Sequence, residues 1–372
     1  MSFSINIAKP LLVKFSILSV MLISSMLLNA CGGGGSESTP AVIPAPIVPP
    51  TPPATPPAAP SQQTPEQTPQ EIVAAMGIGI NMGNTLDAPD EGDWALAAQE
   101  YYFDAYANAG FKNVRIPVTW DAHVSNTSPY DIDEAWLNRV EQIVDWALAR
   151  DLYVVINAHH EIWLKNGFNS QKQERFLAIW TQVAERFKDK SLKLIFEILN
   201  EPDGMTLVQT DALNIEVLNV IRQSNPGRAV IYSGNGFTPA DAMINAAIPN
   251  DENIIANFHS YDPWPFAGQC TRQWGSDQDR QNLRDIYQRV ADWSANMNMA
   301  VTVNEYGAAM YDFQAPQNVC NEDDRLAYIK AHVELQKEFG IASSVWDDGG
   351  SFQIYDRQSD SFSNALQSLI FE

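Results

Sequence analysis

Residues 71–372 are expected to fold as one α/β domain, a (β/α)8 TIM barrel. Three observations predict it. Short runs rich in Val, Ile and Leu recur eight times with amphipathic stretches between them, the alternation that gives a parallel sheet wrapped in helices. Roughly 300 residues exceed the usual size of a single core unless the architecture grows as a ring. No GxGxxG or phosphate-loop pattern follows the first run, as a doubly wound nucleotide-binding sheet would require.

The elements follow in chain order. Lys9 and Lys14 precede an apolar stretch from Phe15 to Leu28 and small Ala30, so residues 1–30 read as a secretory signal. The ending Leu28-Asn29-Ala30-Cys31 resembles a bacterial lipobox, which implies that Cys31 is lipidated and anchors the chain to a membrane. An ordinary signal peptide is the alternative. Gly32 in place of Asp suits sorting to the outer membrane, with the domain at the cell surface or in the periplasm. Residues 31–70 are rich in Gly, Pro and Thr, without aromatic residues, and read as an extended tether.

The eight strand runs are Gly77–Asn81, Asn113–Pro117, Leu152–Ala158, Leu192–Leu199, Ala229–Ser233, Ile254–Ser260, Ala300–Glu305 and Ala342–Trp346. Helices are expected over Glu134–Arg150, Thr206–Ser224, Asp279–Asn296 and Asn321–Phe339. In the first of these Trp136, Leu137, Val140, Ile143, Val144 and Ala147 recur at intervals of three and four while Asn138, Arg139 and Glu141 fill the other face.

The formal net charge is −22, and the few charges before residue 71 cancel, so the whole excess sits on the domain. Nucleic acid is excluded as an electrostatic partner. Three cysteines in 372 residues cannot build a disulfide scaffold or a multi-Cys zinc site. With Cys31 assigned to lipid, Cys270 and Cys320 remain. They fall in neighbouring loops after the sixth and seventh strands, where an exported protein is expected to join them in a disulfide.

In a (β/α)8 barrel the C-terminal strand ends build the active site. Here they carry Asn81, Arg115, His159 with His160, Asn200-Glu201-Pro202, His259-Ser260-Tyr261, Asn304-Glu305 and Trp346. Glu201 and Glu305 would face each other across the mouth. Cleaving an acetal needs one protonated carboxyl for the leaving oxygen and one carboxylate for the anomeric carbon, and these two glutamates can divide those roles in either order. Asn200 suits a hydrogen bond to a sugar 2-hydroxyl. Arg115 and Tyr261 suit a partner role that keeps Glu305 ionised, and His259 suits a tuning role beside Glu201.

The ordered set Arg115, His159, Asn200-Glu201-Pro202, His259-Ser260-Tyr261, Glu305 and Trp346 resembles glycoside hydrolase family 5, retaining β-glycanases built on this barrel. The resemblance spans essentially all of residues 71–372 and implies that Glu201 is the acid/base and Glu305 the nucleophile. The segment from Gly79 to Ala88 is similar to that of bacterial endo-β-1,4-glucanases of the family.

Sugar rings present apolar C–H faces, so a glycan cleft is lined with aromatic rings. Trp346 is expected beneath the sugar at the cleavage point. Trp120, Trp163, Trp264 and Trp274 fall in or just after βα loops and are candidates to extend the platform; Trp274 also carries a local pattern resembling the endoglucanases. Trp136, Trp146, Trp180 and Trp293 lie on helices and read as core. His159-His160-Glu161 lacks the helical spacing of a metal site, so His159 and His160 are read as sugar ligands and neither metal nor cofactor is expected.

The expected function is a lipid-anchored, monomeric retaining endo-β-1,4-glucanase acting on cellulose-like or mixed-linkage β-glucan. Mannan, glucomannan or xyloglucan as substrate, exo action, and a surface protein that only binds glycan are the alternatives.

Overall fold

The computed structural model describes residues 67–371. The export signal, the lipidation of Cys31 and nearly all of the expected tether lie outside the described residues. The tether boundary needs one correction: helix α1, Pro69–Met76, begins before residue 70. Thr68 and Glu71 form a capping box at its start, and Pro69 occupies its first turn, where a missing N–H costs nothing.

Eight parallel strands close into a barrel, each bonded to its sequence neighbours and the last to the first. They are β1 Ile78–Asn81, β2 Asn113–Ile116, β3 Tyr153–Asn157, β4 Leu194–Glu197, β5 Val230–Ser233, β6 Ile254–Ser260, β7 Val301–Tyr306 and β8 Ala342–Val345. Every residue of all eight except Ile78 is buried, which is why the strands read as apolar runs and not as alternating ones. The larger helices lie outside: α2 Glu100–Ala109, α3 Glu134–Leu148, α5 Ser170–Phe187, α6 Leu207–Ser224, α9 Asp277–Met297, α10 Glu322–Phe339 and α11 Asn364–Phe371. Three short ones, α4 Ile162–Lys165, α7 Ala240–Asn245 and α8 Trp264–Ala267, fall within βα connections. Among the described residues no helix is long and apolar enough to cross a membrane.

Two apolar clusters divide the interior. The larger fills the space between strands and helices. The smaller sits at the N-terminal end of the barrel, where Ile72, Val73 and Met76 of α1 pack onto Tyr153, Val155, Ile195, Ile231 and Ile255. Helix α1 is thus the plug in the barrel's base, opposite the strand ends that carry polar residues.

Cys270 and Cys320 form a disulfide with Cα atoms 4.5 Å apart, as expected. It staples the loop after β6 to the hairpin of Tyr311–Asp312 and Ala315–Val319 that follows β7. The closed loop spans 50 residues. Replacing both cysteines by serine should therefore cost up to about 4 kcal/mol of stability, measured by urea unfolding, with the midpoint moving and little change in turnover.

Candidate active site

Arg115 of β2 is the hub. Its guanidinium is fully buried, yet every N–H finds an acceptor. Nε donates to Glu197 Oε2 at 2.7 Å and Nη2 to Glu197 Oε1 at 2.8 Å, a bidentate fork. Nη1 donates to Glu305 Oε1 at 2.6 Å and to Asn81 Oδ1 at 2.9 Å. Nη2 also donates to Asn200 Oδ1 at 2.7 Å, which turns the Asn200 amide nitrogen away from the arginine. Asn81, an expected site residue, is fully buried and also donates to the Asn304 carbonyl at 2.8 Å, so it braces the arginine.

Glu305 is the last residue but one of β7, next to His259 of β6 in register. Its Oε2 accepts from the Tyr261 hydroxyl at 3.1 Å and lies 3.6 Å from His259 Nδ1. The same Nδ1 lies 2.9 Å from Glu201 Oε1. One oxygen of each glutamate and the imidazole nitrogen all fall within 4.8 Å of one another. Glu201 follows β4 with φ of 40°, a left-handed conformation uncommon outside glycine, and its carbonyl accepts from Asp203 N at 2.6 Å. The barrel ladder runs up to this point, with Ile198 and Asn200 N–H groups donating to Ile231 and Ala158 carbonyls.

The charges interlock. Burial would push Glu201 up, but the hydrogen bond and charge of His259 outweigh it and hold the carboxyl below its ordinary range. Burial raises Glu305, against the pull of His259 and Arg115. His259 is raised, because Glu305 and Glu201 overcome its burial. Glu197 is lowered despite complete burial, since Arg115 compensates its charge.

Trp346, half-buried, and His159 lie parallel, interplanar angle 3° and centroids 5.9 Å apart. Gly83 allows this seat: a Cβ there would stand 2.7 Å from the Trp346 ring. His160 presents its edge toward Asp87, with Nε2 3.7 Å from Oδ2.

The aromatic expectations divide. Trp264 is 41% exposed, lies nearly parallel to Phe352 and meets Tyr261 edge to face, with ring centroids 6.0 Å apart. Trp163 is covered by the Arg175 guanidinium 4.3 Å from its centroid and donates to Glu161. Two expectations are corrected. Trp120 is fully buried, its indole N–H spent on the Asn157 carbonyl at 3.0 Å, so it is core. Trp274 is 4% exposed, packed against Phe266 and Tyr328 with Arg280 over its ring, so it stiffens the loop after β6 and offers no sugar a face.

Sequence reasoning missed Glu197 and Trp94, and placed Asn304 at a strand end without giving it a role. Asn304 Nδ2 donates to Glu197 Oε2 at 2.8 Å. Glu197 was readable as the lone charge in the run from Leu194 to Leu199, because a buried charge demands a partner. Trp94, half exposed in the loop after β1, sets its edge against His160 at 5.5 Å.

A closed (β/α)8 barrel with two carboxylates converging on one imidazole, one of them held by arginine and tyrosine, defines a site of the glycoside-hydrolase class. The family description "Cellulase (glycosyl hydrolase family 5)" matches residues 77–351. The chain belongs to glycosyl hydrolase family 5. It is 41% identical over 308 residues to Endoglucanase H of Acetivibrio thermocellus, a match covering 81% of this chain and 33% of that protein. Endoglucanase B of Paenibacillus lautus is 34% identical, with 75% and 54% covered. The chain thus spans a third to about half of these two relatives' length. Among solved structures, Thermotoga maritima Cel5A in complex with mannotriose superposes with a TM-score of 0.77 at 31% identity, covering 82% of this chain and 100% of that one. The mutant form of that protein in complex with cellobiose gives 0.77 at 30%, with the same coverage.

Proposed function

We propose that the protein is a retaining endo-β-1,4-glucanase acting on cellulose-like or mixed-linkage β-glucan, with Glu305 as nucleophile and Glu201 as acid/base. The convergence of the two carboxylates within 4.8 Å carries the reading. An inverting site would separate them by about 6.5–9.5 Å to admit water between sugar and base. Relatives named endoglucanase support the glucan.

The chemistry follows from the contacts. Glu305 attacks the anomeric carbon as Glu201 gives its proton to the departing oxygen; the glycosidic bond breaks and a glycosyl ester forms. Glu201 then takes a proton from water, whose oxygen attacks the same carbon and frees Glu305, so the net reaction consumes one water. In the empty site the raised His259 and lowered Glu201 place a proton on the imidazole side of their 2.9 Å contact. A sugar that shuts out water favours the neutral pair and moves that proton onto Glu201. Arg115 and Tyr261 hold Glu305 in line. Asn200, its amide nitrogen released by Arg115, donates to the 2-hydroxyl. His159, His160, Trp346 and Trp264 bind the rings.

The mannotriose and cellobiose complexes of the Thermotoga protein favour a second reading in which the cleft also takes mannan. Product release from barley β-glucan, carboxymethylcellulose, glucomannan and pure β-mannan decides. Mixed oligosaccharides from the first two support the proposal; dominant release from pure mannan replaces glucan by mannan, and no release from any overturns it. The leader and Cys31 support an exported, lipid-anchored location for a monomer of this kind.

A further inference from the structure

The surroundings fix the hydrogen-bonding sense of one ring nitrogen of His159. Asn157, two residues earlier at the end of β3, places Nδ2 3.1 Å from His159 Nδ1. Two other contacts decide which atom of that amide is which. Asn157 Oδ1 lies 3.1 Å from the Val118 backbone nitrogen, and a backbone N–H only donates, so the atom there is the oxygen. On the other side Nδ2 lies 3.4 Å from Glu197 Oε1, whose carboxylate, forked onto Arg115, only accepts. Both contacts would turn repulsive on rotating the amide.

The imidazole has no freedom left. Its backbone is pinned by His159 N–H to the Val118 carbonyl at 2.8 Å, and its ring lies parallel to Trp346. With Asn157 presenting N–H to Nδ1, that nitrogen must hold its lone pair, and the proton of the neutral ring sits on Nε2. We infer that Asn157 is a positioning residue that locks His159 as the Nε2–H tautomer, a one-way hydrogen-bond donor to a substrate hydroxyl.

Two consequences follow. The hydroxyl that meets His159 must accept, and its own hydrogen must point to a second group. Further, Asp87, His159 and His160 bring potential ligand atoms within 4.8 Å of one another, a geometry a divalent cation would accept. Metal binding through imidazole needs a nitrogen lone pair, and the Asn157 amide occupies the one that His159 has. The lock therefore keeps the sugar cleft from becoming a chelate.

The inference rests on the proposed function only for the identity of the acceptor. Its test needs no substrate: two-bond proton–nitrogen correlation spectra of the 15N-labelled protein, which has five histidines, with His159 assigned by its loss in His159→Gln. The expected result is a pyridine-type Nδ1 and a pyrrole-type Nε2, unmoved by added Zn2+. A pyrrole-type Nδ1, an average of the two tautomers, or a Zn2+-induced shift at His159 overturns it. Asn157→Ala should convert the signals toward an average and raise KM about tenfold more than it lowers kcat, the worth of one hydrogen bond. Wild-type signals in a folded Asn157→Ala would remove the positioning role. If that variant does not fold, the wild-type spectrum stands as the deciding measurement. Absence of turnover on every glycan would sink the proposed function and leave the tautomer untouched.

Discussion

Glu305→Ala is expected to lower kcat/KM on barley β-glucan by a factor on the order of 10³ or more, with the fold intact by circular dichroism. Glu305 is buried, and removing its side chain leaves Arg115 still paired to Glu197, so the expected loss is chemical and not structural. Glu201→Gln should behave differently. It cannot protonate a poor leaving group, so polysaccharide turnover falls as far, while an aryl glycoside whose phenolate leaves unaided keeps its first, bond-breaking step. The pH profile carries a second signature. Wild-type kcat/KM should decline as pH rises through the raised pKa of His259, because the proton that Glu201 is proposed to deliver would be drawn from that contact; in Glu201→Gln this descending limb should disappear. Equal losses on both substrates with the limb retained would remove Glu201 from the acid role.

Arg115→Met should cost about 3–5 kcal/mol of folding stability, because Glu197 would be left ionised and buried with only amide partners. Differential scanning calorimetry would show a fall of several degrees, roughly 5–15 °C for a domain of this size. Activity should collapse as well, since Glu305 and Asn200 lose the group that orients them. The double variant Arg115→Met with Glu197→Gln separates the two effects: neutralising the stranded carboxylate should restore a good part of the stability and none of the activity. A double variant no more stable than the single one would show that the fork carries little of the folding energy.

Much of this machinery was legible beforehand, and the reason is topological. Once strand runs and helices alternate in a closed barrel, residues at or near the C-terminal ends of the runs are brought to one rim, so Arg115, Glu201, His259 and Glu305 could be gathered from their places along the chain. Orientation was not legible. Trp120 and Trp274 sit in the connections where a platform ring would sit, yet both turn inward, because the Asn157 carbonyl attracts one indole N–H and Phe266 and Tyr328 offer the other a packed bed. Loop position selects the rim but says nothing of which way a ring turns. Glu197 escaped notice for the converse reason: it stands inside an apolar run, and only the arginine 82 residues away explains it. The start of α1 was hidden by its neighbours, although Thr68 and Glu71 carried the capping signal.

The plug at the base of the barrel gives the molecule two poles. Gln67, the first described residue, accepts from the hydroxyl of Tyr153, the opening residue of β3, so the polypeptide enters beneath the barrel floor, at the pole opposite Glu201 and Glu305. Whatever holds the amino terminus, whether a lipid, a resin bead or a fused protein, would be gripping the molecule by its heel. A glucan many times longer than the barrel is wide could then be drawn across the far pole without fouling the support. Held at Gln67, the protein should meet long polymers nearly as freely as in solution, and Phe371, whose ring packs on Phe111 just ahead of β2, lies toward the same pole.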